Sequence, residues 1–202
     1  MGPYSFFALL SRMKYIDRWG LMRNAYPETL SEHTLQTAYI AHALCVLSGV
    51  DPAQAVLCAL YHDCSEILTG DLPTPIKYYN EEIKESYKQI EKVAADRLLR
   101  SLPQDLQPAY QPCFFEADPQ VLRMVKAADK ISALIKCIEE LRMGNGDFVK
   151  AKEAQLQALH AMQLPAVERF LQEFLPAYEM TLDELDLGTA GSPPDDARGA
   201  GR

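Results

Sequence analysis

The sequence predicts an all-α protein that folds as a single helical bundle of roughly six or seven helices. Apolar residues recur at helical spacing along most of the chain, and no convincing alternating pattern typical of strands is present. Helix start and stop signals divide the chain into segments of ordinary helical length. The 202 residues, 48% of them hydrophobic, suffice for one domain with a sizeable core. We therefore expect one domain at 1–187 and a disordered tail, without apolar anchors, at 188–202.

The first half of the chain predicts three helices. Residues 4–15 place several apolar side chains on one helical face. A loop with the only tryptophan follows, and Ser31 is the expected N-cap of the second helix. Asp51 and Pro52 fit the N-cap and first positions of the third. That helix should continue without interruption until the glycine and two prolines of 70–75 end it.

The second half predicts four helices, separated by segments rich in proline or glycine. Their expected ranges are 80–101, 119–143, 147–162 and 165–185. The first of them carries dense alternating charge, which is typical of a partly exposed helix. The proline-punctuated segment 103–119 is expected to be a connection. Pro176 should kink or break the last helix.

Composition excludes several classes of function. A net charge of −8 and a pI near 5.0 argue against binding DNA or RNA polymers, which need a basic face. No apolar run approaches the length of a membrane span, and the N-terminus lacks the basic region of a signal peptide. The five cysteines are scattered without CxxC spacing. They indicate reduced thiols, and the expected location is the cytoplasm.

Two histidines and two aspartates form a candidate metal site. His33 falls in the first turn of its helix, and His62 and Asp63 fall late in the following helix. Asp129 lies on the apolar stripe that begins at Leu122 in the long 119–143 helix. An inward carboxylate there is costly unless it is paired or bound to a metal ion. The pattern therefore predicts a metal held by two imidazoles and two carboxylates.

Such a mixed ligand set suits Mn, Co, Fe, Ni, Zn or Mg. Four protein ligands leave positions for water and substrate, and a bound water can become a nucleophile near neutral pH. Glu66, one turn further along, could relay a proton without being a ligand. Simpler interpretations exist for each part. An isolated His-Asp pair is typical of a surface hydrogen bond, and Asp129 could instead pair with Lys126 or Lys130.

Longer motifs surround these residues. They are DRWGLMRN (17–24), SEHTLQTAYIAHAL (31–44), YHDCSEILTGDLPTPIKYYN (61–80), YKQIEK (87–92) and VKAADKISALIKCIEEL (125–141). The order of histidine, His-Asp pair and later aspartate resembles the HD-domain superfamily of metal-dependent phosphohydrolases. Over about residues 4–186 the chain is similar to the bacterial 5′-deoxynucleotidases of the YfbR type. The GDLPTP stretch that follows HDxxE is the most specific part of this resemblance.

The resemblance implies a role for each motif residue. His33, His62, Asp63 and Asp129 would bind the metal, and all of them except His62 would also contact the substrate. Glu66 would be the catalytic carboxylate that handles the proton of the water or of the leaving group.

Substrate recognition would involve two further segments of the chain. Arg18 would hold and orient the 5′-phosphate, which suits the forked donors of a guanidinium. Trp19 would lie against the sugar and disfavour a 2′-hydroxyl, and Asp71 would accept a hydrogen bond from the 3′-hydroxyl. The same wall would be lined by Leu72, Pro73 and Thr74.

The implied reaction is hydrolysis of deoxyribonucleoside 5′-monophosphates to deoxynucleoside and phosphate. The resemblance further implies tolerance of the base, selectivity against ribonucleotides, a divalent cofactor such as cobalt or manganese, and a homodimer. Two other hypotheses stay open. One is another HD-type hydrolase, such as a phosphodiesterase or an alarmone pyrophosphohydrolase. The other is a nucleotide-binding regulatory module, against which the presence of Glu66 argues.

Overall fold

Helices make up nearly all regular structure in the computed structural model, which describes residues 3–77, 79–116 and 118–185. The α-helices are α1 (Phe6–Leu10), α2 (Leu30–Ser48), α3 (Pro52–Tyr61), α4 (Glu66–Thr69), α5 (Thr74–Lys77), α6 (Glu81–Arg100), α7 (Gln107–Phe114), α8 (Pro119–Arg142), α9 (Val149–Ala161) and α10 (Pro165–Glu173). Short 3-10 helices occupy Ser11–Tyr15, Gly146–Phe148 and Leu175–Glu179. Within the described ranges the only β feature is an isolated antiparallel bridge between Asp17 and Thr29. The all-α prediction is confirmed, although the helices outnumber the expected six or seven because several segments split into short pieces.

The helices α2, α3 and α8 form the centre of the bundle. Their buried side chains share one apolar cluster, which α9 and α10 cover with residues such as Leu159 and Phe170. A second cluster joins α1 to the end of α6 and includes Phe6, Leu98 and Cys64. Because Cys64 is fully buried there, it anchors the turn that carries the His-Asp pair.

A reciprocal hydrogen-bond pair sets the start of α2. The Thr29 hydroxyl accepts from the backbone N–H of Glu32, and the Glu32 carboxylate accepts from the backbone N–H of Thr29 at 2.7 Å. This arrangement is a capping box, which satisfies two donors that the first helical turn leaves free. The prediction of Ser31 as the N-cap is therefore wrong by two residues. The earlier start places His33 one full turn inside a well-capped helix.

The third helix begins as predicted but stops early. Asp51 caps it by accepting a backbone N–H at 3.0 Å, and Pro52 occupies its first position. It ends at Tyr61, and residues 62–65 form a turn before α4. The expectation of one continuous helix is thus wrong, and no glycine or proline between 53 and 69 signals the break. His62 and Asp63 consequently sit on the turn, where the helical angle of about 100° between neighbours does not constrain them.

The second half of the chain agrees with the expected ranges in α6, α8 and α9. The segment 103–119 differs, because it contains the helix α7 instead of being a plain connection. The last helix breaks near Pro176 as predicted, with α10 followed by a 3-10 turn. Leu122 is 46% exposed, so the predicted inward stripe of α8 does not begin there.

The expected tail at 188–202 lies outside the described residues. None of the helices in the described ranges is both long and apolar enough to cross a bilayer.

Candidate active site and metal centre

An open cavity of about 620 Å³ lies between the loop after the first helices, the segment that follows α3, and the helices α8 and α9. The structure brings seven of the predicted substrate residues to its walls. These are Arg18, Trp19, Asp63, Asp71, Leu72, Pro73 and Asp129. Glu66 also lines the cavity. The volume falls within the range of small-molecule sites. The side chain of Thr74 lies outside the described part of the structure.

The four predicted metal ligands converge beside this cavity. The ligand atoms of His33, His62 and Asp129 all lie within 4.8 Å of one another. Asp129 Oδ1 is 3.1 Å from His33 Nε2, and Asp63 Oδ2 is 3.0 Å from His62 Nε2 and 3.5 Å from His33 Nε2. Asp129 is not the buried carboxylate that the sequence predicts, since 39% of its side chain is exposed to the cavity. Both nitrogens and the Asp129 carboxylate thus share one small volume, and Asp63 adjoins both nitrogens without belonging to that group of three.

Hydrogen bonds behind the two imidazoles determine which nitrogen faces that volume. The Ser132 hydroxyl donates to Gln36 at 2.7 Å, so it accepts from Nδ1–H of His33 at 3.0 Å. Nδ1–H of His62 donates to the carbonyl of Ala59 at 2.7 Å, because a carbonyl oxygen only accepts. In its neutral form, each ring therefore turns a bare Nε2 lone pair toward the carboxylates. Partners of this kind orient metal-binding histidines.

Both Nε2 atoms are buried, and in neutral rings neither has a hydrogen-bond donor among the described residues, since each faces a carboxylate oxygen at 3.0 or 3.1 Å. A buried polar atom without a partner is costly, and a divalent ion between the nitrogens and carboxylates would remove that cost. The donor set of imidazole and carboxylate also matches borderline divalent metals. The residues present therefore fit a metal ion on geometric and chemical grounds.

The carboxylates give the centre a strongly negative field. Burial alone would lower the pKa of His62, but the neighbouring Asp63 carboxylate reverses the effect and raises it to about 9. Burial would likewise raise the pKa of Asp63, yet His62 and then His33 hold it well below its usual range. A metal-binding imidazole must be neutral, so metal binding should release a proton from His62.

Glu66 occupies the first position of α4 at the edge of the cavity, and it is 2% exposed. Its Oε1 accepts from Nζ of Lys77 at 2.6 Å. Burial, followed by the charge of Asp63, raises the pKa of Glu66 to about 8, although Lys77 acts in the opposite direction. A carboxylate with such a pKa can both take and return a proton near neutral pH.

The loop residues Arg18 and Trp19 share a single acceptor. Glu28 Oε2 accepts from the Arg18 guanidinium at 2.6 Å and from the indole N–H of Trp19 at 2.9 Å. The side chains of Arg18 and Glu28 are 13% and 10% exposed, so little water competes for this contact. Glu28 thereby fixes both predicted substrate residues relative to each other.

Trp19 also connects the two walls of the cavity. Its backbone N–H donates to Oδ2 of Asp71 at 3.3 Å, a contact between residues 52 positions apart. Its ring lies 5.2 Å from that of Phe148, which is fully buried. The Arg18–Trp19 loop and the Asp71 wall are therefore held at a fixed separation.

Sequence reasoning missed Glu28 and Lys77 as parts of this constellation. Glu28 lies in a loop without periodicity, and Lys77 follows two helix breakers. Neither position carries a local signal that links it to Arg18 or Glu66. Asp129 has no ion pair with Lys126 or Lys130 among the described residues, so that alternative is not observed.

Comparison with known proteins identifies the family of the chain. The model of the 5′-deoxynucleotidase YfbR-like family matches residues 5–178. A 5′-deoxynucleotidase of Vibrio parahaemolyticus is 46% identical over 191 residues, which cover 89% of this chain and 97% of the relative. A 5′-deoxynucleotidase of Vibrio cholerae is 47% identical over 188 residues, with the same two coverages.

Solved structures show the same fold. An HD-domain phosphohydrolase from Listeria innocua superposes with a TM-score of 0.75 at 26% identity, covering 88% of this chain and 90% of that chain. The cyanophage S-2L HD phosphohydrolase DatZ, bound to dA and one catalytic Zn²⁺, gives a TM-score of 0.67 at 21% identity, covering 86% of this chain and 96% of that chain. The latter likeness bears on the fold alone. Taken with the family match and the close relatives, these findings establish that the chain is a member of the YfbR-like 5′-deoxynucleotidase family of HD-domain phosphohydrolases.

Proposed function

We propose that this protein is a metal-dependent phosphomonoesterase that hydrolyses deoxyribonucleoside 5′-monophosphates to deoxynucleoside and phosphate. The observation that carries the proposal is the convergence of two unpartnered imidazole nitrogens with Asp63 and Asp129 beside a cavity lined by Arg18. The names of relatives at 46% and 47% identity support the same reaction. Base tolerance is part of the proposal, because the recognised groups are the phosphate and the sugar.

His33, His62, Asp63 and Asp129 would hold the divalent ion, for which we propose cobalt or manganese. When bound, such an ion neutralises phosphate charge and lowers the pKa of a coordinated water. The hydrogen bonds from both Nδ1 atoms keep the imidazoles in the orientation that binding requires. The acidic protein would thus present a local cation to an anionic substrate.

Arg18 and Glu66 would carry out the remaining steps. The Arg18 guanidinium, held by Glu28, would bind and orient the phosphate. His33, Asp63 and Asp129 would also contact the substrate. Water adds to phosphorus as the bond to the 5′-oxygen breaks, and the leaving oxygen gains a proton. Glu66 would take the proton from water and return one to the leaving group, as its position at the cavity edge permits.

Sugar recognition would come from the two connected walls. Trp19 would pack where a 2′-hydroxyl would lie, which disfavours ribonucleotides by steric clash and lost solvation. Asp71 uses Oδ2 for the backbone of Trp19, so Oδ1 would accept from the 3′-hydroxyl. Leu72, Pro73 and Thr74 would complete that wall.

We further propose a homodimer, with one face of α2 as its contact. Leu35, Tyr39 and Val46 are 48%, 67% and 60% exposed and are spaced by four and seven residues. At that spacing they form one stripe along the helix, here called the α2 stripe. An exposed apolar stripe of this kind is typical of a surface that another protein covers. The five free, buried cysteines suit a reducing compartment, and we propose the cytoplasm.

The reaction can be tested by phosphate release from a panel of deoxy- and ribonucleoside monophosphates with Co²⁺, Mn²⁺, Mg²⁺ or EDTA. We expect release from every deoxynucleotide with metal, none with EDTA, and much slower release from ribonucleotides. Equal turnover of both sugars would contradict the role of Trp19. No release from any monophosphate by the metal-loaded protein would favour a different HD-type hydrolase or a regulatory nucleotide-binding module.

A further inference from the structure

Lys77 makes the closest charged contact of Glu66, and the proposed reaction leaves its purpose open. It is the last residue of α5, and its side chain, 19% exposed, lines the same cavity as Asp63 and Asp129. Its Nζ lies 2.6 Å from Glu66 Oε1. The distance is that of a strong charge-assisted hydrogen bond.

Two residues of α6 also contact the ammonium of Lys77. It lies 4.9 Å from the centre of the Tyr87 ring and 3.9 Å from Oε1 of Glu91. Tyr87 is itself within 3.5 Å of the Thr69 hydroxyl. These contacts restrict a long and otherwise flexible side chain to one direction, toward Glu66. Burial alone would lower the pKa of Lys77, but the Glu66 carboxylate raises it, so the lysine stays charged.

The effect on Glu66 differs between its two oxygens. Oε1 is engaged by Lys77, whereas Oε2 is buried and has no hydrogen-bond partner among the described residues. The backbone of Glu66 is fixed as well, because its N–H donates to the carbonyl of Asp63 at 2.9 Å. A carboxylate anchored at its backbone and at one oxygen presents the other oxygen in a single orientation.

We propose that Lys77 is a positioning residue for hydrolysis: by holding Oε1 of Glu66, it makes Oε2 the oxygen that exchanges the proton with the reacting water and the leaving group. The inference rests on the proposed function and adds a residue to it. Lys77 does not touch the reacting atoms in this scheme. It acts on the rate through Glu66 and leaves substrate binding to Arg18 and Trp19.

The test compares Lys77→Met with Lys84→Met in the cobalt-loaded protein. Lys84 lies on α6 in an exposed pair with Glu81, so its replacement removes the same charge away from the cavity. We expect Lys77→Met to lower kcat by about 10- to 100-fold with KM within twofold of wild type. Cobalt affinity, measured by calorimetry, should be unchanged in both variants. Lys84→Met should keep the wild-type kcat.

A second variant separates positioning from folding. In Lys77→Cys, alkylation with 2-bromoethylamine places an ammonium at nearly the length of lysine. The five native cysteines are all buried, and wild-type protein treated in the same way is the control. We expect low kcat before alkylation and recovery of most of it afterwards.

Three outcomes would overturn the proposal. They are a Lys77→Met kcat within twofold of wild type, a raised KM at unchanged kcat, which would place Lys77 on the substrate, and no recovery after complete alkylation. Wild-type protein that hydrolyses no monophosphate would instead refute the proposed function, so the two failures are distinguishable.

Discussion

Trp19 has a φ of 64°, a left-handed conformation that bulky residues rarely adopt. Such a conformation costs about 1–3 kcal/mol and persists only where the surroundings impose it. Here the indole N–H is held by Glu28 and the backbone N–H by Asp71. The conformation turns the ring of Trp19 and the guanidinium of Arg18 toward one acceptor. Glu28 is therefore the residue on which the geometry of the substrate wall depends.

Replacing Glu28 by Gln should weaken substrate recognition while keeping the shape of the side chain. A neutral amide oxygen can still accept from both donors, but it lacks the negative charge that pairs with the Arg18 guanidinium. We expect kcat/KM for a deoxynucleotide to fall by about 10-fold. The ratio of kcat/KM between a deoxynucleotide and its ribonucleotide should also decrease. Steady-state kinetics on paired deoxy- and ribonucleotides measures both effects. Glu85→Gln, on the exposed side of α6, is the matched control, and equal kinetics of the two variants would contradict the prediction.

Replacing Glu66 by Gln should remove turnover while the metal stays bound. The amide keeps a group at Oε1 for Lys77 but cannot accept a proton. A loss of about 100- to 10,000-fold in kcat is expected for a residue that transfers protons. Single-turnover phosphate release measures the rate, and calorimetry with cobalt checks the metal site. Near-wild-type turnover would show that another group handles the proton.

At the scale of single elements, the end of α8 fixes the loop that carries the substrate residues. Glu140 is 1% exposed and accepts from the backbone N–H groups of Ala25 and Tyr26 at 2.8 and 3.1 Å. It also accepts from Asn145 at 2.7 Å and from the ammonium of Lys136, which donates in addition to the carbonyl of Tyr26. One buried carboxylate thus connects the helix, the loop and the α8–α9 turn.

Glu140→Gln should destabilise the protein substantially. Removing one member of a buried ion pair leaves Lys136 without its charge partner, which costs about 3–5 kcal/mol. The neighbouring Glu139→Gln is the control, because that side chain is exposed and should change stability by about 0.5 kcal/mol or less. Urea unfolding of both variants measures the difference. Equal unfolding midpoints of the two variants would show that Glu140 makes no net contribution to the free energy of unfolding.

Glu140 should also make the stability of the protein depend on pH. Burial alone would raise the pKa of Glu140, but Lys136 and the backbone N–H of Ala25 lower it from 4.5 to about 2. Because the folded pKa lies below the unfolded one, the stabilisation is complete above pH 4.5 and is lost as pH falls toward 2. The gap in unfolding free energy between wild type and Glu140→Gln should therefore shrink across that range. A gap that stays constant with pH would contradict the assignment.

Helical periodicity was enough to predict most elements, because α2, α6, α8 and α9 each bury a face at regular spacing. It failed after Tyr61, where the chain leaves the helix without glycine or proline and Nδ1–H of His62 donates to a helix carbonyl. The proposed metal ligands were predictable from the order of a histidine, a His-Asp pair and a later aspartate, although Asp129 is less buried than the sequence indicates. Glu28 and Lys77 were not, since their importance comes only from contacts with Arg18, Trp19 and Glu66.

At the scale of the whole molecule, α2 has two faces with proposed functions. His33 faces the proposed metal centre, and the α2 stripe faces outward with Tyr39 at its middle. Tyr39→Glu should convert the proposed dimer into a monomer, because a charge at the centre of an apolar interface is costly to desolvate. Light scattering after size-exclusion chromatography measures the mass. Tyr15→Glu, at a residue that is 68% exposed, is the control, and a wild-type monomer would refute the dimer itself.

The spread of the proposed metal ligands along the chain also bears on the order of folding. The contact between His33 and Asp129 closes a loop of 96 residues, counted as 129 minus 33. Closing so long a loop is an entropic barrier that a single ion contact in an unfolded chain does not offset. The helices α2, α3 and α8 must pack before the four ligands meet. We therefore expect added metal to leave the folding rate unchanged and to lower the unfolding rate of the native state.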